Sequence, residues 1–148
     1  MNISRLFSAV LSCLALALPA VAQDGVGTPL QGDLLTGWQQ ADGRRVAAVR
    51  LRMAPGWKTY WRSPGDAGIP PEFDWSGSNN LRDVQITWPA PKVFDQGGVS
   101  SIGYAREVIL PLTITPRRPG APVTLDASID LGVCSDVCVP QTLHFFFF

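Results

Sequence analysis

The stretch PVTLDASIDLGV, residues 122–133, alternates in character with a period of two. Val123, Leu125, Ala127, Ile129 and Leu131 fall on one side, and Asp126, Ser128 and Asp130 on the other. Successive side chains of a β-strand point to opposite faces, so the pattern describes a strand with one buried and one solvated face. The same reading extends outward in both directions. In RRVAAVRLRMAPG, residues 44–56, Val49, Leu51 and Met53 alternate with Arg50 and Arg52. REVILPLTIT, residues 106–115, places Val108, Leu110, Leu112 and Ile114 on one face, with Pro111 predicting an edge strand or a bulge because proline has no N–H to donate. VQITW, residues 84–88, is a fourth strand, and weaker ones are expected over 30–38, 57–61 and 137–145.

The 13 prolines and 14 glycines recur about every ten residues and punctuate these runs. About seven short antiparallel strands predict an all-β fold, an immunoglobulin-like antiparallel β-sandwich, with a small barrel as the alternative. Residues 62–80 and 89–103 are expected to be long loops, the places on a rigid sandwich where function concentrates. The sequence shows no internal repeat. It ends in LHFFFF, residues 143–148, where consecutive phenylalanines cannot all face one core. This predicts an apolar edge and suggests a truncated reading frame.

At the other end, Arg5, the apolar run over residues 6–18, Pro19 and the Ala20-Val21-Ala22 triplet have the layout of a secretory signal peptide. Cleavage after Ala22 would leave residues 23–148 as one domain. Cys13 would leave with the signal, and Cys134 and Cys138 would remain in an exported protein, an even number that permits one disulfide. No other segment is long and apolar enough to span a bilayer. Twelve basic and twelve acidic residues give no net charge. With no basic patch either, nucleic-acid binding and adhesion to anionic lipid have no electrostatic support.

Several chemistries are poorly served by these residues. A structural zinc site needs four ligands at characteristic spacing, whereas two cysteines and His144 are all the mature chain offers, so no metal is expected. A hydrolase elbow of the G-x-S-x-G type is missing, and GGVSS, residues 97–101, reads as a flexible loop. Asp66, Glu72 and Asp74 share a Pro/Gly-rich segment, where acids are ordinarily solvated. GWKTYW, residues 56–61, offers Trp57, Tyr60 and Trp61 as a ligand platform or as core. On a strand, Trp57 and Trp61 share a face and Tyr60 takes the other.

The cysteines carry more information. Cys134 and Cys138 are separated by Ser-Asp-Val. A bridge between them closes a very small loop, and small loops gain little chain-entropy stabilisation. The spacing therefore leans toward a redox pair, with the alternative of a structural disulfide in a non-catalytic immunoglobulin-like interaction module left open. Asp136 between the sulfurs and Asp130 nearby disfavour a thiolate, which argues against a strongly acidic nucleophile.

APGWKTYWRSPGDAGIPPEFDW (residues 54–75), IGYAREVILPLTIT (102–115) and DLGVCSDVCVP (130–140) occur in an order that resembles the N-terminal periplasmic domain of the bacterial thiol:disulfide interchange protein DsbD and its relatives. The resemblance runs from about residue 30 to 144. It implies an immunoglobulin-like fold in the periplasm whose cysteine pair exchanges disulfides without a cofactor. Thioredoxin-like and membrane-embedded redox proteins would reduce the pair, and disulfide isomerase-type proteins would accept its electrons. It implies further that Cys134 and Cys138 are the redox couple, with Cys138 forming the mixed disulfide. Phe94 and Asp95 match a shielding cap loop, and Trp57 and Tyr60 match an aromatic strand beside the pair. Three departures stand out. Gly97-Gly98 falls where better-known members carry a bulky aromatic, the C-x3-C spacing is shorter, and the transmembrane and thioredoxin-like domains are not in this chain.

Overall fold

Alternating strands with one apolar face must bury that face against another sheet. The computed structural model, which describes residues 27–147, shows two antiparallel sheets doing so. The signal segment, its cleavage site, Cys13 and Phe148 lie outside those residues. The ten strands are β1 (Leu30–Gln39), β2 (Arg45–Met53), β3 (Lys58–Gly65), β4 (Glu72–Asp74), β5 (Leu81–Ile86), β6 (Lys92–Gln96), β7 (Val99–Ala105), β8 (Glu107–Pro116), β9 (Leu125–Cys134) and β10 (Cys138–Phe147). One sheet runs β1-β2-β8-β5. The other runs β10-β9-β3-β7-β6, with β4 pairing β9 beside β3. The fold is an all-β immunoglobulin-like sandwich.

The core forms where the alternating faces meet. Val49, Leu51, Leu110, Leu112 and Ile114 from the first sheet pack with Leu125, Ile129, Leu131 and Val133 from the second, all essentially inaccessible to solvent. Burying each such side chain is worth about 1.5–3 kcal/mol. The outward residues behave as their chemistry requires: Arg50 and Arg52 both reach Asp33 across the β1–β2 pair, at 3.0 and 2.9 Å. At one margin Leu143 and Phe145 of β10 lie over Gly32 of β1, a contact that a side chain at Gly32 would obstruct. Phe145 and Phe147 pack against the core while Phe146 points outward, as the period of two demands.

The structure corrects the sequence reading in two places. Pro111 lies neither on an edge strand nor in a bulge: β8 sits between β2 and β5. The Pro111 carbonyl accepts from the Thr87 N–H at 2.8 Å, so the proline nitrogen faces the same side, where β5 has just ended at Ile86. Its missing donor thus coincides with the end of the neighbouring strand.

The second correction concerns the long loops. Residues 89–103 contain most of a β-hairpin, β6–β7, in register from Lys92↔Gly103 to Gln96↔Val99. Gly97 and Gly98 turn it with φ of 64° and 85°. Two consecutive positive φ values are what a two-residue hairpin turn needs and what glycine supplies without strain. Residues 62–80 likewise hold the end of β3 and all of β4.

Candidate functional site

The β9–β10 hairpin brings the cysteines together. Its register pairs Cys138 directly with Cys134, and Ser135, Asp136 and Val137 form the turn. The sulfurs are bonded, S–S 2.11 Å, with Cα atoms 4.1 Å apart. The two ends of the bond differ sharply. Cys134 is 1% exposed, whereas Cys138 is open to solvent on the edge strand.

Two neighbours frame Cys138. Tyr60 on β3 is buried, and its hydroxyl lies 3.9 Å from Cys138 Sγ. A disulfide sulfur carries no hydrogen, so the tyrosine donates. Burial pushes the Tyr60 phenol above its ordinary value, which keeps the donor protonated. The second neighbour is an apolar pocket of about 350 Å³ whose lining includes Ile69, Pro70, Leu131, Pro140 and Cys138 itself. Gly132 lets Ile69 close over the strand: a Cβ there would meet Ile69 Cβ at 2.7 Å. Val137 (61% exposed) and Ile69 (47% exposed) add an apolar rim around the accessible sulfur.

On the other flank of β3 lies the β6–β7 hairpin. Phe94 stacks on the Lys58 ammonium, 5.1 Å from ring centroid to Nζ. The Asp95 carboxylate accepts the Gly98 N–H at 3.2 Å and so fastens the hairpin turn. Trp57 precedes β3, packs against the core cluster, and shares a pocket with Phe94, Asp95 and Lys58. Tyr60 is thus placed against the disulfide, while Phe94, Asp95 and Trp57 gather one strand away around Lys58. Glu72 and Asp74 fall on β4, and Asp66 follows the end of β3. Among the described residues no group of three or more His, Cys, Asp or Glu is arranged to hold a metal ion.

Sequence reading missed Lys58. The register sets it directly across from Cys134 and it is only 6% exposed. Its Nζ donates to Gln96 Oε1 at 2.6 Å and Ser101 Oγ at 3.4 Å, and burial lowers its pKa from the ordinary lysine value. The one signal was a charged residue inside an aromatic strand, WKTYW, and a lysine there reads equally well as a solvated outward residue.

Fold and site together define a β-sandwich domain that carries a disulfide at a hairpin tip, with one sulfur open to solvent. The chain belongs to the family of the N-terminal domain of the thiol:disulfide interchange protein DsbD, whose sequence profile matches residues 31–148. Among solved structures it is similar to the N-terminal periplasmic domain of ScsB from Proteus mirabilis. The identity is 30% and the TM-score 0.68, over 89% of this chain and 49% of that one. The chain thus spans about half the length of that structure. A second likeness is to the Neisseria meningitidis DsbD N-terminal domain in its reduced form, at 15% identity and a TM-score of 0.46, over 77% of this chain and 81% of that one. No curated protein sequence matches the chain. No helix among the described residues is long and apolar enough to cross a membrane.

Proposed function

We propose that this domain works in the periplasm, after removal of residues 1–22, and that Cys134 and Cys138 carry electron pairs between partner proteins. The observation that carries the reading is the asymmetry of the pair: one sulfur is buried and the other is open beside an apolar pocket. In the reduced domain the Cys138 thiolate attacks a partner disulfide. A Cys138–partner bond forms, and one partner sulfur leaves as thiolate. The Cys134 thiolate then attacks Cys138 Sγ and expels the second partner thiolate. The partner gains two electrons, and the Cys134–Cys138 disulfide is restored. Recharging runs the same steps backwards, with a reductant's thiolate attacking Cys138.

Membership of the family supports a choice of partner classes. Thioredoxin-like and membrane-embedded redox proteins supply electrons, and disulfide isomerase-type proteins receive them. The apolar rim of Val137 and Ile69 suits a protein surface. Tyr60 serves the reaction by donating to Cys138, while Trp57, Phe94 and Asp95 form the flank that a partner meets.

The test is a trap. Reduced Cys134→Ser, mixed with an oxidised disulfide isomerase-type protein, should accumulate a mixed disulfide through Cys138, because the resolving thiol is gone. Cys138→Ser should accumulate far less. Equal trapping by both variants, or none by either, would contradict the reading.

A further inference from the structure

Lys58 is an interior cation that the exchange steps above do not use. It lies on the outer face of β3, directly across from Cys134, and directly opposed residues of an antiparallel pair project to the same side. The ion pairs among the described residues are Arg44–Asp42, Arg50–Asp33 and Arg52–Asp33, none of which involves Lys58. Its ammonium rests on two neutral oxygens, Gln96 Oε1 and Ser101 Oγ, beneath the Phe94 ring. Burying a cation with no anion beside it costs stability, and a methionine would fill the same space without that cost. Packing therefore gives no reason for a lysine here.

The chemistry does. Cys134 is 1% exposed, and burial disfavours its thiolate, the form that must attack Cys138 to release the partner. The other ionisable groups around the pair offer little help. Asp136 lies in the hairpin turn, and Glu72 and Asp130 line the pocket beside Cys138. Tyr60 is directed at the other sulfur. Asp95 and Arg106, of opposite sign, are on the rim of the pocket that holds Lys58.

We propose that Lys58 is a positioning residue for the resolving step: its buried charge, held by Gln96 and Ser101 on the β6–β7 flank of the strand that pairs with Cys134, acts through the sheet interior to stabilise the Cys134 thiolate. This rests on the exchange function proposed above. A neutral disulfide gains nothing from the cation and a thiolate does, so Lys58 favours the reduced pair and speeds release of the partner.

The test isolates one thiol. In a Cys138→Ala chain only Cys134 titrates as a cysteine among the described residues, and the ultraviolet absorbance of its thiolate is followed against pH. Adding Lys58→Met should raise the Cys134 pKa by about one unit, and Lys58→Arg should restore most of the shift. An unchanged pKa in Lys58→Met would overturn the proposal. A reciprocal measurement needs no substitution and stands if the methionine variant fails to fold. By linkage, the Lys58 ammonium pKa, read by NMR, should be higher in the reduced than in the oxidised protein at pH values where the thiolate is present. Equal values in the two states would overturn it. Failure of the trapping experiment with a Lys58-dependent Cys134 pKa would remove the exchange function and leave the electrostatic coupling standing. Successful trapping with no Lys58 dependence would do the reverse.

Discussion

Tyr60 and Cys138 show at the residue scale how position sets chemistry. The tyrosine hydroxyl is a donor aimed at the accessible sulfur, and it gains strength when that sulfur becomes an anion, since hydrogen bonds to charged groups are the stronger ones. Tyr60→Phe should therefore slow exchange with glutathione by roughly 2- to 10-fold, corresponding to about 0.5–1.5 kcal/mol. Its thermal unfolding should stay close to that of the parent. Stopped-flow exchange and a melting curve check the two halves, and an unchanged rate would remove Tyr60 from the reaction. The pairing of Cys134 with Cys138 was legible in the sequence because the residues are so close along the chain. The burial of one sulfur and the exposure of the other were not, since both depend on β10 lying at the sheet edge. Lys58 was hidden for a related reason. Its burial comes from Phe94 and Gln96, brought over it by a hairpin some 40 residues on.

At the scale of elements, the strands that carry the core were legible and the ones that shape the site were not. β2 and β8 alternate cleanly, as does β9 as far as Leu131, and the apolar residues the pattern picks out there are buried; beyond Leu131, Gly132 and Cys134 are buried as well. β6 is short with mostly exposed side chains, and the buried residues of β7 are Ser101, Gly103 and Tyr104, so no alternating apolar face announces them. The signal that was present is Gly97-Gly98, a hairpin turn between two runs able to form strands. Pro111 misled because a missing N–H matters only where a neighbour stands ready to accept it. The loop over residues 117–122 depends on another local device. Asn80, at a φ of 57°, donates from Nδ2 to the carbonyls of Arg118, Ala121 and Pro122 and accepts the Arg118 N–H at Oδ1. Asparagine tolerates this left-handed conformation better than most residues. Asn80→Ala should cost about 2–3 kcal/mol, from stranded polar groups and backbone strain. Chemical denaturation would show it as a lower midpoint with an unchanged slope. A loss below about 0.5 kcal/mol would mean that water replaces the side chain.

The whole molecule has its own pH signature. The Tyr104 hydroxyl donates to the Pro89 carbonyl at 2.8 Å, and burial pushes its pKa from 10.0 to about 12, opposed in part by the Arg62 charge. A raised folded-state pKa means the stabilisation is fully present below the unfolded value and is lost as pH rises through the folded one. Stability should therefore hold up to about pH 10 and decline between about 10 and 12, more steeply than in Tyr104→Phe. Tyr60, shifted the same way by burial, adds to the decline. Melting curves across that range would decide it, and parallel profiles for parent and variant would contradict it. The same global view bears on the disulfide. Its loop holds only three residues between the cysteines, worth roughly 2 kcal/mol of chain entropy at most. The β9–β10 ladder continues from Cys138↔Cys134 to Phe147↔Leu125, and the core lies between the sheets. The fold should then survive opening of the bond.

The reduction potential of Cys134–Cys138 decides whether the bond is a working redox couple. The pair would be titrated against glutathione or thioredoxin while circular dichroism follows the sandwich. The expected result is a potential within the range of exchange proteins, roughly −270 to −120 mV, with the β-sheet signal unchanged in both states. A potential below about −300 mV, or unfolding on reduction, would make the bond a structural staple and overturn the exchange function.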